Sequence, residues 1–215
     1  MTPVTPWKDR LIKPAAFVLC LLPFALLLWD LFHNQLGANP GEKLTHRSGE
    51  WALRFLLITL AVAPLRRMTG WHGVLRLRRM LGLYTFFYAV LHFTIWLVFD
   101  HFFDLNAIVQ DIIKRPYITV GFTAFVLLIP LAATSTNAMM RRLGRRWTTL
   151  HQLVYVAATL GVMHYLWLVK ADVREPVMYG MILIALLLAR VWHQRRPDPP
   201  ARGTLPPGVK GKNAP

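Results

Sequence analysis

The chain is poor in cysteine and in charged residues, and each shortage excludes a class of protein. Its 215 residues include a single cysteine, Cys20, so no disulfide can form within one chain, and there is no C-x-x-C-H motif for covalent haem attachment. Only 16% of the residues are charged, whereas 55% are hydrophobic. This composition is rare among soluble domains of this size and is typical of a membrane protein.

Six apolar segments are candidates for membrane-spanning helices, because most of them approach the ~20 residues that a helix needs to cross a bilayer. They lie at roughly residues 15–32, 51–65, 80–99, 117–134, 147–169 and 176–192. The second is short and contains Arg54. The sequence therefore predicts an all-α membrane protein, a six-transmembrane-helix bundle over residues 15–192. No internal repeat is evident.

Positive charge is distributed unevenly over the connections between these segments. The chain has 25 Lys and Arg against 10 Asp and Glu, a net charge of +15 that could indicate nucleic-acid binding. However, 18 of the cations lie in alternate connections and the two termini, whereas eight of the acids lie at or near the opposite face. The positive-inside rule then predicts cytoplasmic termini, residues 1–14 and a disordered basic tail at 193–215, and no nucleic-acid partner.

One outer connection has a helical pattern of its own. Asp104 is a suitable N-cap, and apolar residues follow it at helical spacing, namely Leu105, Ile108, Val109, Ile112 and Ile113. The pattern predicts a short amphipathic helix, either on the outer membrane interface or as a re-entrant edge of the bundle.

Three of the eight histidines, His92, His151 and His164, lie inside predicted spans. A histidine kept in hydrocarbon usually binds a ligand or moves protons. With ~1.5 Å of rise per residue, His92 lies ~10 Å and His164 ~8 Å from the outer ends of their segments, so the two can face each other. His151 lies ~20 Å below His164, near the cytoplasmic face.

Two neutral imidazoles at one depth on different helices can supply both axial ligands of one haem iron, and an apolar bundle interior suits the porphyrin. Arg47 or Arg54 could meet the propionates of a b-type haem, although Arg54 can instead pair with Glu50 four residues earlier. A proton relay, a transition-metal site and plain hydrogen bonds between helices are the alternatives for the histidines. No Asp or Glu lies deep in these helices to favour a metal-transport site.

The position of His151 leaves open whether one haem or two are bound. Thirteen residues correspond to ~220° around a straight helix, so His151 and His164 do not share a face. A kink or bulge near Gly161 could align them, or the two could serve different neighbours. The third segment has no second histidine, so Met80 or the loop residue His72 would have to complete a lower site.

Several longer motifs resemble the ferric reductase-like transmembrane superfamily. The main ones are L-G-R-R-W-T-T-L-H-Q-L-V-Y at 143–155, H-Y-L-W at 164–167, R-R-M-L-G-L-Y at 78–84 and L-H-F-T at 91–94. Three further ones are L-G-A-N-P at 36–40, K-R-P-Y-I-T-V-G at 114–121 and T-S-T-N-A-M at 134–139. Taken in order, the set is similar to the haem-binding membrane subunits of MsrPQ methionine sulfoxide reductase systems, from about residue 22 to 190.

The resemblance implies a bacterial inner-membrane protein with six helices and b-type haem, and it implies that His92, His151 and His164 are ligands of the haem iron. It also implies that electrons pass from quinol or a cytosolic flavin reductase to a periplasmic molybdopterin enzyme of the MsrP type, which reduces methionine sulfoxide in oxidised proteins. FMN is associated with the family, although no residue here is assigned to it. The chain is then an electron-transfer subunit rather than the catalytic one.

Larger relatives such as NADPH oxidases carry a cytosolic flavin and nicotinamide domain, whereas this chain has no G-x-G-x-x-G motif and only about 25 residues after the last segment. We therefore expect a separate electron donor. A transporter or proton channel with a histidine relay is the alternative function, and a structural assembly factor is a third. A redox-active Soret band would support only electron transfer.

Overall fold

The computed structural model describes residues 6–169 and 171–195, and these residues contain helices and no strands. The helices of this part of the chain are α1 Pro6–Phe32, α2 Pro40–Thr69, α3 Leu75–Phe99, α4 Leu105–Lys114, α5 Pro116–Ala133, α6 Asn137–Leu143, α7 Arg145–Leu150, α8 Leu153–Leu168 and α9 Arg174–Arg195, with a 3-10 turn at His72–Val74. The predicted all-α class is confirmed for these residues. The predicted tail lies outside them, except for its first residues, which continue α9.

Five of the described helices are long and apolar enough to cross a membrane, namely α1 from Leu11, α2, α3, α5 and α9 as far as Trp192. The extent predicted for the second span is wrong, because α2 has 30 residues and begins at Pro40. Asn39 caps it by accepting a hydrogen bond from the N–H of Glu42, and Pro40 occupies the first turn, where its missing N–H costs nothing. Arg54 therefore lies in the middle of a long helix.

The fifth predicted span is divided in the structure. α7 ends at Leu150, His151 and Gln152 form a turn, and α8 then runs for 16 residues. α8 is therefore not among the helices that are long enough on their own to span a membrane. The irregularity that the structure shows lies in the turn at His151 and Gln152, and α8 is continuous through Gly161.

The helices α2, α3, α5 and α8 surround the centre of the molecule, with α2 packed on α3 and α5 on α8. Apolar residues of these helices form the main core, including Leu53, Leu57, Leu60, Leu128, Leu131, Val154 and Val162. Ala157 and Ala158 are completely buried, so α8 approaches its neighbours closely. α9 packs on α2 and α8, and α1 packs on α2 and α3.

Two tyrosines of α3 attach α1 to this core through the backbone of α1. The fully buried Tyr88 donates its hydroxyl hydrogen to the carbonyl of Cys20 (2.9 Å) and accepts from the N–H of Phe24 (3.0 Å). In a regular helix these two backbone groups bond each other, and the hydroxyl of Tyr88 bonds both of them from outside α1. Tyr84 donates to the carbonyl of Phe17 at 2.9 Å.

The two ends of the bundle differ in charge. Eight of the nine Asp and Glu among the described residues lie at or near one end, here called the acidic end, where α2, α4, α5 and α9 begin, whereas Asp9 lies near the start of α1. Arginine clusters at 66–67, 76–79 and 141–146 lie at the other, here called the basic end. The predicted short helix is confirmed as α4 at the acidic end, and Asp104 caps it by accepting from the N–H groups of Asn106 and Ala107. Leu105, Val109 and Ile113 are exposed on α4, as an interfacial helix would present them. The location of α4 on a membrane interface stays a prediction.

Candidate functional site

A cavity of about 510 Å³ lies between α2, α3, α5 and α8, in the half of the bundle nearer the acidic end. His92 on α3 and His164 on α8 both line it, and their ring centroids are 6.3 Å apart with an angle of 74° between the planes. Apolar side chains supply much of the remaining wall, including Leu53, Leu56, Phe93, Phe125, Leu128 and Ala157. The structure thus brings together the two histidines that matching depth had paired.

Each of the two rings is held by a hydrogen bond to a backbone carbonyl of a different helix. Nδ1 of His92 is 2.8 Å from the carbonyl oxygen of Thr45 on α2, and Nδ1 of His164 is 2.7 Å from that of Tyr117 on α5. A carbonyl oxygen only accepts, so Nδ1 carries the hydrogen and Nε2 keeps its lone pair in the neutral ring. Such a bond fixes the tautomer and the orientation of a histidine that binds a metal.

Two glycines make room for these rings. A Cβ atom at Gly49 would lie 2.9 Å from Nδ1 of His92, and one at Gly121 would lie 2.6 Å from Nδ1 of His164. Both distances are shorter than van der Waals contact allows, and the obstructing atoms belong to rings already held by a hydrogen bond. A side chain at either glycine would therefore push the histidine away from its carbonyl.

The same arrangement occurs twice along the chain. In both halves the histidine follows the carbonyl residue by 47 positions and the glycine by 43, with Thr45, Gly49 and His92 in one half and Tyr117, Gly121 and His164 in the other. The carbonyl residue and the glycine are four residues apart, so they lie on one helix face. These four residues were missed in the sequence, where the only available signal was the equal spacing of a glycine from each histidine.

His151 lies apart from the cavity, in the turn between α7 and α8 towards the basic end. Its ring stacks on that of Trp147 with centroids 3.9 Å apart, and its Nδ1 is 3.1 Å from the Trp147 carbonyl oxygen. Its Nε2 is buried and makes no well-formed hydrogen bond among the described residues, although the backbone carbonyl of Leu131 lies near the ring. A buried nitrogen without a partner is costly unless a ligand satisfies it, so His151 marks a second candidate site.

The three histidines do not form one group. Within residues 6–169 and 171–195, no cluster of three or more His, Cys, Asp or Glu could hold a metal ion. Of the two residues considered for completing a lower site, Met80 packs against the apolar cluster around Tyr84, and the side chain of His72 lies outside the described residues. Among the side chains that the structure describes, none is therefore identified as a partner ligand of His151.

Comparison with known proteins identifies the family. A sequence profile described as "Ferric reductase like transmembrane component" matches residues 48–162, more than half of the chain. A protein of Herminiimonas arsenicoxydans named "Protein-methionine-sulfoxide reductase heme-binding subunit MsrQ" is 54% identical, over 93% of this chain and 94% of its own length. The chain belongs to the MsrQ family.

Other members of the MsrQ family show comparable similarity. The protein of the same name from Ralstonia nicotianae is 54% identical over 87% of this chain and 88% of its own length. One from Xanthomonas campestris pv. campestris is 50% identical over 91% and 93%. No solved structure matches the chain.

For a member of the MsrQ family, the cavity can be tested for its fit to a haem. The rings of His92 and His164 come from two different helices, and the 6.3 Å between their centroids leaves room for an iron ion that both would hold. Apolar walls suit the faces of a porphyrin, and neutral imidazole nitrogens are the axial donors that haem iron takes. His92 and His164 therefore fit a haem between them.

The two arginines expected near the haem propionates do not line the cavity. Arg47 pairs with Asp30 of α1. Arg54 bonds Glu50 at 3.0 Å and the hydroxyl of Tyr179 on α9 at 2.8 Å. The structure thus shows the alternative pairing of Arg54 with Glu50, and neither arginine is placed to meet a propionate there.

Arg115 is the arginine that lines the cavity, at its edge near the acidic end. It donates to the Tyr117 hydroxyl at 3.4 Å and pairs with Asp111 at 2.9 Å, and these two neighbours raise the pKa of Arg115. Asp100 lines the same edge, and burial raises the pKa of its carboxyl group, although the charges of His101 and Arg115 oppose this. Arg115 is therefore the cation available to a carboxylate at this edge.

Proposed function

We propose that this chain is the haem-binding, electron-transferring membrane subunit of a protein-methionine-sulfoxide reductase system. The observation that carries the proposal is the pair of facing imidazoles, each held at Nδ1 by a backbone carbonyl. The name of the relative that is 54% identical supports it. Haem b, when bound by His92 and His164, supplies a centre that takes up and releases one electron at a time.

The residues around this pair keep it rigid. The carbonyls of Thr45 and Tyr117 hold each imidazole from a neighbouring helix, so neither ring has to rotate when the charge at the site changes. Gly49 and Gly121 permit the close approach of the rings to α2 and α5. Apolar side chains such as Leu53, Leu56, Phe93 and Leu128 supply few groups that bind water, which limits solvent reorganisation during electron transfer.

We further propose that His151 serves the basic end, either as a ligand of a second haem or at the point of electron entry. Its buried Nε2 without a hydrogen-bond partner supports a ligand role. The flat ring of Trp147 beside it adds an apolar surface against which a planar cofactor could pack. Two such sites at different depths would give electrons a path across the membrane.

The residues between the two levels argue against a proton relay or a transport path through the histidines. Leu131 of α5 and Val154, Ala157 and Ala158 of α8 are buried in the apolar core, and Ala157 also lines the cavity. A proton needs a continuous series of hydrogen-bonding groups, whereas these side chains supply none. Electron transfer through such an apolar core requires no polar group.

The proposed topology has six crossings with both termini in the cytoplasm of a bacterium, in its inner membrane. α8 supplies the sixth crossing, and its packing on α5 and its buried alanines support this although it has only 16 residues. The concentration of arginines at the basic end supports a cytoplasmic location for that end.

We propose quinol or a cytosolic flavin reductase as the electron donor and a periplasmic molybdopterin enzyme of the MsrP type as the acceptor. The cavity with its two histidines lies toward the acidic end, the end that faces the periplasm in this topology. The basic end, rich in arginine, suits an acidic soluble donor. FMN belongs to the proposal only through the family resemblance, and no residue is assigned to it.

A visible spectrum of the purified protein tests this function. We expect a redox-active Soret band, and we expect His92→Ala and His164→Ala each to abolish the low-spin bis-histidine signature. His33→Ala is the matched control, because His33 lies at the end of α1 and stacks on Trp29 away from the cavity. If both cavity variants keep the full wild-type reduced spectrum, the pairing is wrong.

Transfer to the partner is a separate test. Membranes that contain the chain should reduce an added MsrP-type enzyme when quinol or a flavin reductase is supplied. If the haem is reduced but the partner is not, the chain remains a transmembrane cytochrome without the proposed acceptor.

A further inference from the structure

A second cavity, of about 90 Å³, lies at the basic end between α2, α8 and α9. Its apolar lining includes Leu60 and Pro64 of α2 and Leu187 of α9, and its polar residues are Arg67, Tyr155 and Arg190. None of the three histidines discussed above lines it, and the proposed electron path does not use it. This volume accommodates a group the size of a phosphate or a glycerol unit rather than a porphyrin.

The guanidinium group of Arg190 is held in a fixed orientation at this cavity. One of its Nη atoms donates to the hydroxyl of Tyr155, and the group lies over the Tyr155 ring, 4.2 Å from the centroid. A guanidinium has five N–H donors in a planar fork, so others remain available to a ligand. Tyr155 therefore positions Arg190 without consuming its binding capacity.

The described lining of this cavity carries positive charge without an acid to neutralise it. Among the residues that the structure describes, Arg67 and Arg190 both line the cavity, and no Asp or Glu does. The acids from Asp30 to Glu175 all lie at or near the other end of the bundle. Two arginines that share one small cavity form a favourable site for a phosphate group.

The surroundings of the cavity distinguish a lipid from a soluble anion. Leu65 on α2 and Ile184 and Leu188 on α9 flank the cavity along the chain and are exposed on the outside of the bundle. In a membrane these side chains contact acyl chains, which would continue from a headgroup seated between the arginines. Basic pockets between helices on the cytoplasmic side are typical binding sites for anionic lipid headgroups.

We propose that this cavity binds an anionic phospholipid, with its phosphate between Arg67 and Arg190 and its acyl chains along the exposed apolar surfaces of α2 and α9. The site joins α2 and α8 of the central bundle to the peripheral helix α9. A bound lipid would therefore hold α9 against the bundle at the basic end.

Native mass spectrometry of the delipidated full-length chain in neutral detergent tests the proposal, with phosphatidylglycerol as the anionic lipid and phosphatidylcholine as the zwitterionic one. We expect one phosphatidylglycerol to bind with clear preference. The double variant Arg67→Gln/Arg190→Gln should weaken its binding by about tenfold or more, because charge-assisted hydrogen bonds are lost. Arg67→Lys/Arg190→Lys, which keeps both charges, should retain much of the binding.

The matched control is Arg142→Gln/Arg146→Gln, which removes the same charge from exposed residues at the basic end outside the cavity. Three outcomes would overturn the proposal. They are equal binding of phosphatidylcholine, an equal loss of binding in the control variant, and complete displacement of the lipid by millimolar inorganic phosphate. Circular dichroism of each variant shows whether the helices are intact. If the glutamine variant unfolds, lipid binding by the lysine variant still tests whether two positive charges at these positions are enough to hold the phosphate.

Discussion

The rings of His92 and His164 are each oriented by one backbone carbonyl oxygen, that of Thr45 and that of Tyr117 respectively. Each of these oxygens lies 47 residues earlier in the chain. Each oxygen selects one tautomer, so that both imidazoles keep Nε2 free on the cavity side of the ring. His151 differs, because its Nδ1 bonds the carbonyl of Trp147 only four residues earlier. At the residue scale, the two rings in the cavity are therefore held by tertiary structure and the third by local structure.

Gly121→Ala is predicted to remove most of the haem bound at the cavity. The new Cβ would lie 2.6 Å from Nδ1 of His164 and would break its bond to Tyr117, whereas elsewhere in a helix alanine is favoured over glycine by about 1 kcal/mol. Gly82→Ala is the control, since its Cβ would meet only Thr59 Cγ2 at 3.8 Å. Haem content and the reduced spectrum measure the effect, and equal haem content in the two variants would contradict it.

His151→Ala is predicted to slow reduction from the basic end while the bis-histidine spectrum of the cavity persists. The reason is that His151 lies outside the cavity and has its own unsatisfied Nε2. Stopped-flow reduction by the donor, compared with direct reduction by dithionite, separates the two effects. A variant that retains no haem at all would instead make His151 a ligand of the same haem as His92.

At the scale of elements, α1 is held by hydroxyl groups as well as by packing. It lies on the outside of the bundle, and Tyr88 and Tyr84 of α3 bond its backbone carbonyls. α8 shows the opposite behaviour, because its buried alanines bring it into the centre despite its short length. The length of an apolar segment thus indicates a span but not its place in the bundle.

Tyr88→Phe is predicted to loosen α1 in its middle. The substitution leaves the N–H of Phe24 and the carbonyl of Cys20 without the bridging hydroxyl, at a cost of about 1–3 kcal/mol in the free energy of unfolding. Thermal unfolding in detergent and hydrogen exchange of the Phe24 amide measure this. Tyr84→Phe should cost less, because its hydroxyl bonds only one group, the Phe17 carbonyl. Unchanged exchange at Phe24 would show that α1 closes its own ladder.

At the scale of the whole molecule, the separation of charge between the ends fixes the expected orientation. Eight of the nine described acids lie at or near one end, and the arginine clusters lie at the other. The cavity with His92 and His164 lies toward the acidic end, so orientation also decides on which side of the membrane electrons leave.

The orientation of the protein in the membrane can be measured by labelling single cysteines introduced into a Cys20→Ala background, which removes the one native thiol. Asn106→Cys on α4 and Ala138→Cys on α6 are exposed positions at the acidic and basic ends. A membrane-impermeant maleimide should label the first in intact spheroplasts and the second only after permeabilisation. The reverse pattern would place the basic end in the periplasm.

The amino-acid sequence by itself determined the helical class, the membrane location of the apolar segments, the charge difference between the ends and the matching depth of His92 and His164. These follow from composition, segment length and rise per residue, which are local properties. The sequence left the start of α2 unrecognised, because Arg54 and the polar residues after Pro40 interrupt its apolar pattern. It also left the position of the break before α8 unrecognised.

Only the tertiary structure decided which groups hold the histidines. The bonds to Thr45 and Tyr117 use backbone carbonyls, so they do not depend on which side chains those residues carry. Gly49 and Gly121 matter only because a histidine ring of a neighbouring helix packs against them. The partner of Arg54 was open in the sequence for the same reason, since Tyr179 lies 125 residues away. Contacts of this kind depend on how helices pack, and packing depends on the shapes of all the side chains at once.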